Sequence, residues 1–339
     1  MATVTQRKLA EIVGVSYPTV NRILNGNKNV RHGLRKKVLE AADLLGYRKN
    51  LAARSLSTQR SYAVGIILTN SPHSYWSDVL SSLEGNMRMK EYQVVVCHTK
   101  ETISSDSSRE LEFMLSQGVD GIIIAANPPF EKENSFLKVA ATGTPLLLLN
   151  NFLPGVPASY LGTDSFNGAR DACNYLLELG HKRICFVAGI KGDYTYDRRL
   201  EGGRIAMLGK SLKFDPAMLF YANGHMEEDG YTVVEDILKI SPRPTAIFAV
   251  SDPLALGIYL GLQEAGIKIP EEMSLIGYSG MREGKYLSSP LTTVQQDTGM
   301  LGKRAAELIL ELIEKQDKRP VFEELTDKLL IRQSCCRVL

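Results

Sequence analysis

The sequence predicts an all-α head followed by an α/β body of two similar halves. Three observations carry that reading. Residues 1–60 hold helical patterns punctuated by glycine; from 62 onward short apolar runs alternate with helical ones; and the charge divides between the two parts. At 339 residues the chain has room for two or three compact units. Its 44% apolar and 23% charged residues are those of an ordinary globular protein. No apolar run reaches the roughly 18 residues a membrane span needs, so no membrane partner is expected. The N-terminus, Met1 to Lys8, has no apolar h-region, which predicts a cytoplasmic chain. Cys97, Cys173, Cys185, Cys335 and Cys336 are odd in number and lack metal-ligand spacing. They read as free thiols of a reducing compartment, the vicinal pair included. No metal and no cofactor is predicted.

The net charge of +2 hides a division. Residues 1–60 carry twelve Lys/Arg against three Asp/Glu, or +9, and the remaining residues carry 28 against 35, or −7. A basic head on an acidic body suits a module that meets nucleic-acid phosphates, attached to one that does not.

Within the head, Leu9, Ile12 and Val13 repeat as an apolar helix face, with Ala10 a small residue at the crossing. Gly14 stops that helix, Val15 packs inward and Ser16 caps a second one. Tyr17 and Pro18 fall in its first turn, where proline's missing N–H costs little. Val20, Ile23 and Leu24 form the buried stripe, which leaves Tyr17, Pro18, Asn21, Arg22 and Asn25 to solvent. Two short helices around a glycine turn make a helix-turn-helix, whose second helix enters the DNA major groove. A third helix is expected over 33–45, with Leu34, Val38, Leu39, Ala42 and Leu45 inward and Gly46 ending it.

The strings LAEIVGVSYPTVNRILNG, VRHGLRKKVLEAADLLGY and NLAARSL, in this order and spacing, resemble the lactose-repressor (LacI/GalR) family. The resemblance continues through the whole chain. It implies base contacts from Tyr17, Pro18 and Arg22, of which Arg22 can address guanine O6 and N7 in a bidentate way. Thr5, Ser16, Thr19, Asn21 and Asn25 look like phosphate-positioning groups. Tyr17 has the alternative of packing on the third helix. The segment from Asn50 to Leu56 is too short to be helical alone. In the family it becomes a hinge helix on the operator, and its leucine wedges into the minor groove. Leu56 holds that place and Ala53 the helix contact, while Leu56 packing on the body is the alternative. Lys49 stands where the family usually has proline.

In the body, strands are expected at 63–68, 93–97, 121–125, 145–149, 183–188, 246–250 and 273–277. Helices are expected at 76–90, 164–180, 229–240 and 252–265. This alternation implies parallel sheets wrapped by helices, and the pattern restarts near Asp164. The resemblance sharpens it to a periplasmic-binding-protein-like fold with three crossovers, near 161–163, 290–293 and 322–325. That makes the head 1–48, a hinge 49–61 and a body 62–339. One lobe takes about 62–161 plus 293–322, the other about 163–290 plus 325–339. The match rests on Asp164-x-x-Asn167-Gly168, Gly180-His181-x-x-Ile184, Arg199-x-x-Gly202, Ser251-Asp252-x-x-Ala255-x-Gly257, Pro290-Leu-Thr-Thr-Val294 and Ile331-Arg-Gln-Ser334. His181 reads as a turn residue, Asp252 as a helix cap and the Pro290 segment as a crossover.

The effector-binding set is Tyr75, Trp76, Asp164, Arg199, His225, Ser251 and Ser279. Tyr75 and Trp76 hold the family's ligand-side aromatic pair, with ordinary lobe packing as the alternative. Asp164 and Arg199 are placed at strand-to-helix connections, where α/β sheets bind ligands. Ser279 replaces an aspartate usual in sugar-binding relatives. With Arg199 kept and Lys191, Arg198 and Arg282 nearby in sequence, this favours a sugar acid such as gluconate or 2-keto-3-deoxygluconate. The expected function is a homodimeric repressor of a carbohydrate or sugar-acid operon, bound to pseudo-palindromic operator DNA and controlled by that effector. One alternative is a global carbon-catabolite-type regulator acting with a phosphoprotein partner. Another, of a different class, is a solute-binding receptor, which the basic head argues against. No hydrolase elbow, Walker loop or zinc-type cluster is present in the sequence, so no enzyme is expected.

Overall fold

The computed structural model describes residues 4–24, 30–47, 58, 60–69, 73–99, 108–125, 133–314 and 319–338. The chain divides into two compact units, Met1–Ser61 and Tyr62–Leu339.

In the first unit, α1 (Gln6–Val13), α2 (Tyr17–Leu24) and α3 (His32–Leu44) share one core. Thr5 starts α1 by accepting the Lys8 N–H at 3.2 Å. Gly14 ends it with φ at +75°, a left-handed turn a Cβ would oppose. Leu9, Ala10, Val13, Val20, Ile23, Val38 and Ala42 are buried. Two residues expected inside are not: Ile12 is 53% exposed and Leu39 42%. The stripes that meet are Leu9–Val13 and Val38–Ala42, each one turn apart, and so small a core has no second face to offer their neighbours. The expected contacts of Asn25, Ala53 and Leu56 lie outside the described residues.

The body begins with β1 (Ala63–Thr69), α4 (Ser74–Met89), β2 (Gln93–Thr99), α5 (Ser108–Ser116), β3 (Gly121–Ala125), α6 (Glu133–Thr142), β4 (Leu146–Leu149) and β5 (Ser159–Thr163). The pattern then repeats. It runs through α7 (Ser165–Glu178), β6 (Ile184–Ala188), α8 (Tyr194–Gly209), β7 (Leu219–Tyr221), α9 (Glu227–Thr232), α10 (Val234–Lys239), β8 (Ala246–Ala249), α11 (Asp252–Glu264) and β9 (Ser274–Ser279). The chain finishes with β10 (Thr292–Gln295), α12 (Thr298–Glu314), β11 (Phe322–Leu325) and β12 (Lys328–Leu330). One six-stranded sheet has the order β11-β5-β4-β3-β1-β2 and the other β12-β10-β9-β8-β6-β7. All pairings are parallel except β10 with β12. Strands such as β3 and β4 are buried along their length, as sheets covered on both faces require.

Several expectations are corrected. Residues 290–293 are not a crossover: β10 belongs to the second sheet, and the chain leaves that half only after Gln295, since α12 packs on α4 and on β3 to β5. The other two crossings fall at 163–165 and 325–328. The strands β5, β7, β10, β11 and β12 went unforeseen because at three to five residues they are too short for a periodicity to show. The helix expected at 229–240 begins at Glu227 and breaks at Val233. Asp252 caps nothing with its side chain: it accepts the Thr293 hydroxyl at 2.6 Å and the Met281 N–H at 2.7 Å, tying α11 to β10 and to the end of β9. His181, just after the turn at Gly180, has a structural role: it is 2% exposed and bridges Thr245 and the Cys336 carbonyl at 2.9 and 3.0 Å. Among the described residues no helix is long and apolar enough to cross a membrane.

Two helix contacts give direct tests. Gly302 of α12 lies where a Cβ would stand 2.3 Å from the Val79 carbonyl of α4, whereas a Cβ at Gly85 of α4 meets nothing. Gly302→Ala should therefore cost about 1–3 kcal/mol through overpacking, and Gly85→Ala should gain up to about 1 kcal/mol of helix propensity. Calorimetric melting of the body, shifted down in one and up in the other, checks this. In the head, Leu9→Ala should cost about 2–5 kcal/mol, enough to unfold that unit while the body's melting point stays unchanged.

Candidate functional site

Two candidate surfaces follow, one on each unit. On the head, Tyr17 is 46% exposed, and Pro18 and Arg22 are exposed on the same face of α2, opposite the buried Val20 and Ile23. Arg22 has no acidic partner among the described residues and stands free to meet an outside group. Ser16 and Thr19 share a hydroxyl contact of 2.8 Å beside them. Thr5 is exposed with its hydroxyl engaged by α1, and Asn21 is half-buried.

On the body, the candidate residues gather at the carboxyl ends of the strands, where the two halves face each other. Arg199 is not at a connection but in the second turn of α8, and it is 3% exposed. Its Nη1 donates to the Val250 carbonyl at 2.7 Å and its Nη2 to Gln296 Oε1 at 3.4 Å. The guanidinium lies 3.7 Å over the Tyr278 ring and 5.8 Å from that of Tyr196. From the other half, the Tyr75 hydroxyl accepts the Asn150 amide at 2.6 Å, and Trp76 meets the Tyr75 ring edge-on at 5.0 Å. Gln296 links the halves by donating to the Thr163 hydroxyl at 2.6 Å.

Acids surround the cation. Burial pushes the Asp327 carboxyl up to about 6, against the pull of the Tyr278 hydroxyl and Arg199. Burial likewise raises Asp193, whose carboxylate accepts the Tyr196 N–H at 2.9 Å. It lowers His225, although Asp193 and Asp229 pull that imidazole the other way. His225 packs its ring 5.2 Å from Tyr196. Five buried polar atoms here have no hydrogen-bond partner among the described residues: Arg199 Nε, His225 Nδ1, Ser251 Oγ, Asn150 Oδ1 and Asp327 Oδ1. Unpaired buried polar groups are few in native proteins, and ordered water or a bound molecule normally supplies the missing partner.

Not every expected residue joins this group. Asp164 spends its carboxylate on capping α7, accepting from Asn167 N and Nδ2 at 3.1 and 2.5 Å. Ser279 ends β9 with φ at +129°, and among the described residues its side chain shares no hydrogen bond with Arg199. Lys191, Arg198 and Arg282 do not reinforce Arg199 either. Arg198 stacks on Phe166 at 4.9 Å, Arg282 pairs with Asp78 at 2.7 Å, and Lys191 lies 6.0 Å over Tyr221. Conversely, Asn150, Asp193, Tyr278, Gln296 and Asp327 went unforeseen. Asp193 alone carried a local signal, as an acid directly before a helix.

Residues 7–50 match the lacI family of bacterial regulatory proteins, and residues 173–335 match the periplasmic binding protein-like domain. The HTH-type transcriptional repressor PurR of Pasteurella multocida is 32% identical over 336 residues, covering 98% of each chain. The lac repressor dimer bound to operator and the anti-inducer ONPF has a similar fold, with a TM-score of 0.84, 24% identity and coverage of 99% of this chain and 100% of that one. A LacI family transcriptional regulator from Enterococcus faecium, solved with bound ribose, aligns at a TM-score of 0.73 and 26% identity over 82% of this chain and all of its own. Near-full-length likeness to repressors, a matched head and a matched body leave one assignment: this chain belongs to the lacI family of bacterial regulatory proteins and is a DNA-binding transcriptional repressor, not an enzyme.

Proposed function

We propose that the protein represses transcription as a homodimer on a pseudo-palindromic operator and that a small polar effector in the cleft around Arg199 sets its affinity for DNA. In this reading α2 lies in the major groove. Arg22 addresses guanine, Tyr17 and Pro18 contact neighbouring bases, and Thr5, Ser16, Thr19, Asn21 and Asn25 position the phosphates. Leu56 and Ala53 act at the minor groove.

The observation that carries the effector is the set of unpaired buried atoms on Arg199, His225, Ser251, Asn150 and Asp327. Together they offer both donors and acceptors, so the ligand must present both. A sugar acid meets that demand with its carboxylate on Arg199 and its hydroxyls on the others. It is the weaker for the loss of Lys191, Arg198 and Arg282 from the site. A second reading is a planar heterocycle such as a free nucleobase. The aromatic walls of Tyr75, Trp76, Tyr196 and His225 favour it, as does the kinship with repressors called PurR. Ligand binding then shifts the head's operator affinity only by its differential affinity for the two states of the body.

A thermal-shift panel of sugar acids, neutral sugars and nucleobases separates these readings, because a ligand of the native state raises its stability by mass action. One class alone should raise the melting point, and Arg199→Met should abolish that rise. If Arg199→Met responds like the wild type, the cleft assignment is wrong. For the head, Arg22→Ala should lose about 1–3 kcal/mol of binding per half-site and relax sequence preference at one base pair. Gel shifts on operator variants selected from random DNA check this.

A further inference from the structure

A cavity of about 260 Å³ opens in the second half of the body, lined by none of the cleft residues. Its origin is local. α8 ends at Gly209, Ser211 turns the chain with φ at +59°, and the segment arches outward before the short turn Pro216–Met218 and the edge strand β7. Between that arch and the start of β6 the floor is apolar. The rings of Phe186 and Phe214 tilt against each other at 5.0 Å, and Met207 and Met218 close the sides.

The rim is of the opposite character. Lys182, Arg183 and Lys213 all line the opening, and none has an acidic partner among the described residues. Arg183 donates from Nη2 to the Pro242 carbonyl, yet its Nε is buried and unpaired. The one acid on the rim, Asp215, is turned to its own turn, where it accepts the Ala217 N–H at 2.9 Å. Three cations without an acidic partner among the described residues, over an aromatic and thioether floor, define the chemistry of an occupant: an apolar body with a single anionic end. The volume lies just under the ~300–1,000 Å³ typical of drug-sized ligands, so the body is about one ring or one branched chain.

We propose that this cavity is a second ligand site, one that takes a small aromatic or branched aliphatic carboxylate. The apolar part lies on Phe186 and between the two methionines. The carboxylate faces Lys182, Lys213 and the spare N–H of Arg183, a charge-assisted arrangement. Met207 sits eight residues after Arg199 on α8, about 12 Å along the helix, which separates this site from the cleft.

The test uses the full chain with carbon-labelled methionine methyls and sodium benzoate as the probe. Benzoate should shift the Met207 and Met218 methyl signals saturably. Lys182→Glu combined with Lys213→Glu, both exposed and harmless to the core, should weaken that response by at least about tenfold. Arg199→Met should leave it unchanged. Four results would overturn the proposal. They are no saturable shift at those methyls, an equal response to neutral benzamide, a response untouched by the two lysine changes, or a response lost in Arg199→Met.

Discussion

A fully buried guanidinium sets the terms for the body. Taking an unpaired cation out of water costs several kcal/mol, so Arg199 must be answered from every side, and the fold is arranged to do so. The end of β8 supplies the Val250 carbonyl, β9 the Tyr278 ring, and the chain after β10 the Gln296 amide. Asp327, in the last crossing, adds an acid. These groups come from four separate segments, so the position of Arg199 is fixed only when the second half is complete and its crossing strands are in place. Even then Nε is left over. On the proposed reading, that surplus donor is what the cleft offers to a ligand.

The two halves meet around this cation through contacts that are individually weak. Ser74 donates to Glu283 at 2.7 Å, Asp78 pairs with Arg282 at 2.7 Å, and His73 stands 3.3 Å from Glu227. Thr195 reaches the Asn150 carbonyl. The exposed Asp78–Arg282 pair contributes about 0–1 kcal/mol, and the hydrogen bonds, the buried Gln296–Thr163 one included, about 0.5–3 kcal/mol each, so no single contact named here locks the halves together. Such an interface responds to a ligand whose own differential affinity is modest. Asp252, pushed up to about 6 by burial, ties the Met281 loop that carries Arg282 and Glu283 to β10, and so steadies one side of that meeting.

Legibility in the sequence followed the length scale of each feature. The helix-turn-helix was readable because its information is local: a cap, a left-handed glycine and two stripes within twenty residues. The long β runs were readable for the same reason. Arg199 and Tyr75 were visible through motif resemblance, but their neighbours were not. Asn150 lies 75 residues from Tyr75, and Gln296 lies 97 from Arg199. No periodicity joins such pairs; only the closing of the two sheets does. The short edge strands β7, β11 and β12 escaped because their pairing partners, not their own residues, make them strands. The basic side chains beside Arg199 in sequence misled for the corresponding reason. On a helix, Arg198 points about 100° away from Arg199, and it stacks on Phe166 instead.

The central claim is that an effector completes the hydrogen bonding of Arg199. The most direct measurement is the Arg199 Nε–H resonance of the isotopically labelled full chain, recorded while titrating the compound that most raises the melting point. The account predicts a large shift and strong protection from solvent exchange for that one signal at saturation, because its proton gains an acceptor. A ligand that binds tightly while the Arg199 signal stays where it was would contradict it.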